Sequence, residues 1–145
     1  MFCDNASQCY LIFISVLSNG TFLGLSALTG LYLSHNKIQQ IHAAHLTGLE
    51  RLEVLHLDHN RLQWLEGDVF ALLTRLVTIT LHNNLLARLD VKVSPLASSG
   101  LLQVVTLHHN NWECRAHADC QWVTRAVDTL NKSAVRQLSE VSSAG

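Results

Sequence analysis

The chain has 145 residues, 48% of them apolar, with 10 Lys and Arg against 11 Asp and Glu and a net charge of -1. That length suffices for one domain with a real core, and the near-neutral balance supplies no basic surface for a phosphate backbone, which argues against nucleic-acid binding. Leucine is far above its ordinary share, with 27 residues, 21 of them from Leu28 to Leu107.

Residues 1–16 hold Cys3 and Cys9 and read as an N-terminal flank, an incomplete cap or degenerate segment. The apolar run Tyr10 to Leu17 contains Ser15 and falls far short of the ~20 residues of a membrane helix, so no membrane span is expected. Asp4 stands where a leader peptide would be basic, and no small-residue cleavage pattern follows.

A repeat begins in its back half at 17–27, where Leu17, Phe22 and Leu25 match Leu65, Phe70 and Leu73. Full copies open at Leu28-x-x-Leu31-x-Leu33-x-x-Asn36-x-Ile38 (28–51), Leu52-x-x-Leu55-x-Leu57-x-x-Asn60-x-Leu62 (52–75) and Leu76-x-x-Ile79-x-Leu81-x-x-Asn84-x-Leu86 (76–101), at a spacing of 24. A last strand, Leu102-x-x-Val105-x-Leu107-x-x-Asn110 (102–110), follows after 26. Leucines two apart share one side of a strand, and one such strand cannot bury that side alone, so successive copies must stack. The pattern is similar to the leucine-rich repeat. It predicts an α/β repeat solenoid with short parallel strands on the concave face and irregular or 3-10 arcs outside.

In that frame Asn36, Asn60, Asn84 and Asn110 form a structural ladder, because an amide both donates and accepts at the buried corner after each strand. The third arc, over 90–101, carries Pro95 and no aromatic anchor and is expected to be the loosest. Residues 111–131 are predicted to form a C-terminal cap, in which Trp122, Val123, Ala126, Val127 and Leu130 make one helical stripe. Residues 132–145 are predicted to continue as a fraying tail.

Both cysteine pairs are six residues apart and flank the repeats. Cys3–Cys9 and Cys114–Cys120 are the economical disulfides, although four cysteines permit three connectivities, and reduced thiols of an intracellular chain are the competing reading. Sequons at Asn5, Asn19 and Asn131 are candidate glycosylation sites.

The outward strand positions form three columns: Tyr32, His56, Thr80, Thr106; Ser34, Asp58, His82, His108; and His35, His59, Asn83, His109. Six of the nine histidines fall on this face, the expected ligand-binding surface. Three explanations compete for them. Zinc between His35 and His59, with Asp58 or His82 near, has suitable ligand chemistry but no sequence-local spacing. A protonation switch is the second, since Asp58 beside His82 would favour the charged ring. The plainest is a solvated polar face, and with it no metal and no cofactor are expected. Ser34 has no evident oxyanion donor and no other nucleophile has a partner, so the chain is not expected to be an enzyme.

The run from Phe22-Leu-Gly-Leu25 to Asn110, closed by Trp112-Glu-Cys114, resembles extracellular leucine-rich repeat proteins, in particular Toll-type receptor ectodomains and secreted insect immune proteins. Asn111 precedes the tryptophan where the Toll-type cap has proline, and Cys114 and Cys120 stand without a second pair. The resemblance implies a non-catalytic recognition module, extracellular or part of a longer receptor, with a protein or glycan ligand on the concave face. An intracellular adaptor and an adhesion or matrix protein are the alternatives. Four strands make a face smaller than the ~800 Å² per partner of a standard interface. Weak binding, homo- or heterodimerisation, or membership of a longer solenoid are the three ways to reconcile that, and the last is favoured.

Overall fold

A computed structural model of the protein describes residues 1–4, 7–88 and 101–113. The described residues form a six-stranded sheet in sequential order: β1 (Phe2–Asp4), β2 (Gln8–Tyr10), β3 (Gly30–Tyr32), β4 (Val54–His56), β5 (Thr78–Thr80) and β6 (Val104–Thr106). From β2 onward all neighbours are parallel, with Leu31 opposite Leu55, Leu55 opposite Ile79, and Ile79 opposite Val105. That register is the repeat alignment, including its 26-residue last step.

Each inward column is buried because the next copy covers it. Leu28, Leu52 and Leu76 are fully enclosed, as are Leu31 and Leu55, Leu33 and Leu57, and Ile38, Leu62 and Leu86. The outer arcs add Leu17, Ile41 and Leu65 and the anchors Phe22, Leu46 and Phe70 to the same core. Among the described residues these arcs are irregular apart from a 3-10 turn at Ala43–His45. No helix among the described residues is long and apolar enough to cross a membrane.

The asparagine ladder closes the corner after each of β3, β4, β5 and β6. Asn60 Nδ2 donates to Leu33 O at 2.8 Å and Leu57 O at 3.1 Å, while its Oδ1 accepts the Ile38 amide at 3.1 Å. Asn36, Asn84 and Asn110 repeat the same three bonds. Each side chain thus satisfies backbone groups of its own repeat and of the preceding one.

The segment 1–16, whose consensus is lost in sequence, supplies β1 and β2. Cys3 and Cys9 are disulfide-bonded within this antiparallel hairpin, and Cys9 is fully buried opposite Leu31. Leu11 follows it into the core, and Ile14 donates to Asn36 as Ile38 does to Asn60. Leu11 and Ile14 are three apart where Leu33 and Ile38 are five apart, so this copy is two residues shorter and has no asparagine of its own. Trp112 Nε1 donates to Leu107 O at 3.0 Å, packing the start of the C-terminal segment on the last strand. The Cys114–Cys120 pairing, the cap helix, the tail, the arc over 90–100 with Pro95, and the sequons at Asn5 and Asn131 lie outside the described residues. Asn19 is exposed.

Candidate functional site: the concave histidine face

The histidines next to the ladder owe their place to backbone geometry. His35, His59, Asn83 and His109 have φ of 56°, 53°, 54° and 53°. This left-handed region is uncommon for residues other than glycine, but Asn and His enter it several-fold more often than most. Each stands one residue before a ladder asparagine, where the chain turns out of the strand. Phe13 takes the same conformation in the N-terminal copy, at φ 60°.

Stacking at repeat spacing then builds a ribbon of rings. Tyr10 and Tyr32 stack with centroids 4.5 Å apart, and Tyr32 meets His56 at 5.0 Å. A second run joins His35 to His59 at 4.2 Å, His59 to His82 at 5.3 Å, His82 to His108 at 4.5 Å and His108 to His109 at 5.0 Å. Tyr10 was not legible as part of the face from leucine spacing alone. The match of Cys9-Tyr10-Leu11 to Leu31-Tyr32-Leu33 is the signal that finds it.

Asp58 lies under this ribbon with its side chain 10% exposed. Its Oδ1 accepts the hydroxyls of Ser34 at 2.7 Å and Thr80 at 2.5 Å. Its Oδ2 pairs with His59 Nδ1 at 3.0 Å and lies 3.8 Å from His82 Nε2, while His56 Nδ1 is 3.8 Å from Oδ1. Burial pushes the carboxyl upward, but bonds from Thr80, His59 and Ser34 with the His82 charge outweigh it, holding Asp58 well below the usual carboxylate range.

The columns therefore divide into presenting and supporting residues. Tyr32, Ser34, His56, His82, Asn83 and His108 are half-buried, and His35, His59 and His109 are exposed. Asp58, Thr80 and Thr106 are buried and hold the face from beneath. Thr106 Oγ1 lies 2.6 Å from His82 Nδ1, which leaves His82 Nε2 turned toward Asp58. The expected charging of His82 by Asp58 is present but loses to burial, and like charges on His108, His59 and His109 act with burial to depress its pKa. Nδ1 of His108 is buried without a hydrogen-bond partner among the described residues.

Ser34 Oγ donates to a carboxylate and not to an imidazole, so Asp58, His59 and Ser34 do not form an activated nucleophile. His35, Asp58 and His59, by contrast, place one ligand atom each within 4.8 Å of one another.

A sheet of parallel strands closed by an asparagine ladder defines a leucine-rich repeat solenoid. The family model described as Leucine rich repeat matches residues 13–62. No curated protein sequence matches the chain. Among solved structures, the leucine-rich repeat domain of APL1B is similar at 24% identity and a TM-score of 0.62, covering 67% of this chain and 29% of that one. The TLR13 complex with ssRNA13 is similar at 28% identity and 0.60, covering 71% and 15%. The Toll–Spatzle complex, of Drosophila development and innate immunity, is similar at 23% and 0.62, covering 72% and 14%. The chain folds as a leucine-rich repeat solenoid similar to those of Toll-type and insect immune proteins, and it spans less than a third of the length of any of these three.

Proposed function

We propose that the chain is a non-catalytic recognition module of an extracellular innate-immune protein, binding a protein ligand through the concave face. The observation that carries this reading is the ring ribbon from Tyr10 to His109, in which His59 and His82 hydrogen-bond to the buried Asp58 and Thr106. Such a face is already ordered, so binding forfeits little side-chain freedom. The Cys3–Cys9 disulfide and the exposed sequon at Asn19 favour an oxidising, glycosylating compartment. Glycan binding is the nearest variant, since stacked tyrosines and hydrogen-bonding imidazoles also suit sugars.

Two measurements test the reading. Mass spectrometry of the chain released by a secretory host, with and without reductant and glycosidase, should show an intact disulfide and an occupied Asn19. Free thiols without glycan would place it inside the cell, as an adaptor. A photoreactive residue at position 32 should cross-link a partner protein that the same probe at position 63, on the outer arc, does not. The complex of TLR13 with single-stranded RNA makes RNA the informative control. The columns contain no Lys or Arg, and RNA cross-linked at position 32 in place of protein would overturn the assignment.

A further inference from the structure

We propose that His35, Asp58 and His59 form a binding site for a divalent transition-metal ion of the zinc class, bridging the first and second full repeats on the concave face. Among the described residues these three are the group whose ligand atoms converge, all within 4.8 Å of one another. A tetrahedral zinc ion with ligand bonds of about 2.0–2.2 Å needs them about 3.3 Å apart. One edge is already at that length, since Asp58 Oδ2 and His59 Nδ1 are 3.0 Å apart. The ion replaces the proton shared along that edge. The remaining closure falls to His35, whose exposed ring stacks on His59 and turns about its side-chain bonds without disturbing the core.

The carboxylate is arranged as a ligand. Ser34 and Thr80 hydroxyls occupy Oδ1 and fix its orientation, so Oδ2 is the oxygen that faces His59 and His82. Such outer hydrogen bonds orient metal-binding carboxylates and tune their affinity. The backbone fixes the other two ligands, because His35 and His59 hold the same left-handed corner one repeat apart. Two imidazoles and one carboxylate suit zinc, nickel or copper and not calcium or magnesium, which take oxygen. Three protein ligands leave a fourth position open toward the groove. His82 Nε2, 3.8 Å from the same Oδ2, stands beside that position.

The test is zinc titration of the full chain against a chromophoric zinc indicator, beside the variants His35→Asn, His59→Asn and His109→Asn. Asparagine keeps the left-handed corner, and His109 occupies that corner away from Asp58. One zinc per chain is expected, weakened at least tenfold by His35→Asn and by His59→Asn and less than twofold by His109→Asn, with no competition from millimolar magnesium. Imidazole resonances of the unaltered chain give a readout that does not depend on the folding of any variant: zinc should move those of His35 and His59 most. Absence of saturable one-to-one binding, equal loss in all three variants, or shifts centred on His108 and His109 would overturn the site.

Discussion

Asn60 Oδ1 accepts the amide of Ile38, 22 residues earlier, at 3.1 Å, and its Nδ2 donates to carbonyls of two repeats. The bond is buried, so no water replaces it when the side chain is removed. Asn60→Ala leaves the buried Ile38 amide without its partner, at a cost of about 1–3 kcal/mol, while Leu33 O and Leu57 O each keep one bond, from Asn36 Nδ2 and Asn84 Nδ2. We expect a loss of about 1–3 kcal/mol in urea unfolding. Asn110→Ala, in a half-buried position, should cost less. Equal losses below about 1 kcal/mol at both positions would show that the ladder contributes little.

How much of this was legible in the sequence follows from what repeats. Leu31, Leu55 and Ile79 recur at a fixed spacing, and the cost of exposing one inward side chain is the same in each copy, so register could be read directly. The N-terminal copy was not readable in that way, because its corner is two residues shorter and Cys9 stands in a leucine position. The face was legible as columns, but not as a network. Spacing placed Asp58 beside His82; it could not say that Thr80 and Ser34 would occupy one carboxylate oxygen and turn the other to His59. Nor could it weigh the Asp58 charge on His82 against burial, which depends on the rings of His108 and His59 packed around it. His42, His45 and Glu66 fall in the outer arcs, where no column pattern marks them.

The Asp58–Thr80 bond links neighbouring strands beneath the ring ribbon. It is charge-assisted, and bonds of that kind contribute about 1.5–3 kcal/mol. A double-mutant cycle with Asp58→Ala and Thr80→Val, run with chelator present, should return a coupling of about 1–2 kcal/mol. Additive effects would mean that the carboxylate finds equivalent partners in Ser34 and His59 once Thr80 is gone.

The Cys3–Cys9 disulfide secures the edge of the sheet that the β1–β2 hairpin forms. Closing so short a loop stabilises by about 2 kcal/mol through the entropy of the unfolded chain. With Cys3→Ser and Cys9→Ala together, hydrogen exchange should rise first in the amides that bridge β2 and β3, and only later in those between β4 and β5. A uniform rise across the sheet would show that the hairpin opens only with the whole solenoid.

His45 gives the acid response its sign. Its Nδ1 accepts the amide of His42 at 3.1 Å, which requires the neutral ring. Burial lowers its pKa and the neighbouring His42 lowers it further, against an opposing pull from Glu66, which pairs with His42 at 2.7 Å. A histidine whose folded pKa lies below its unfolded value of ~6.5 contributes stability that is complete above that value and is lost as pH falls toward the folded pKa, because the unfolded chain binds the proton better. His82 is depressed in the same direction and adds to the effect. The melting temperature should therefore fall between pH 7 and pH 5. In His45→Gln, whose amide oxygen accepts the same backbone bond without titrating, the fall should be shallower but still present through His82. Identical acid slopes in the two proteins would show that His45 protonates without breaking the turn.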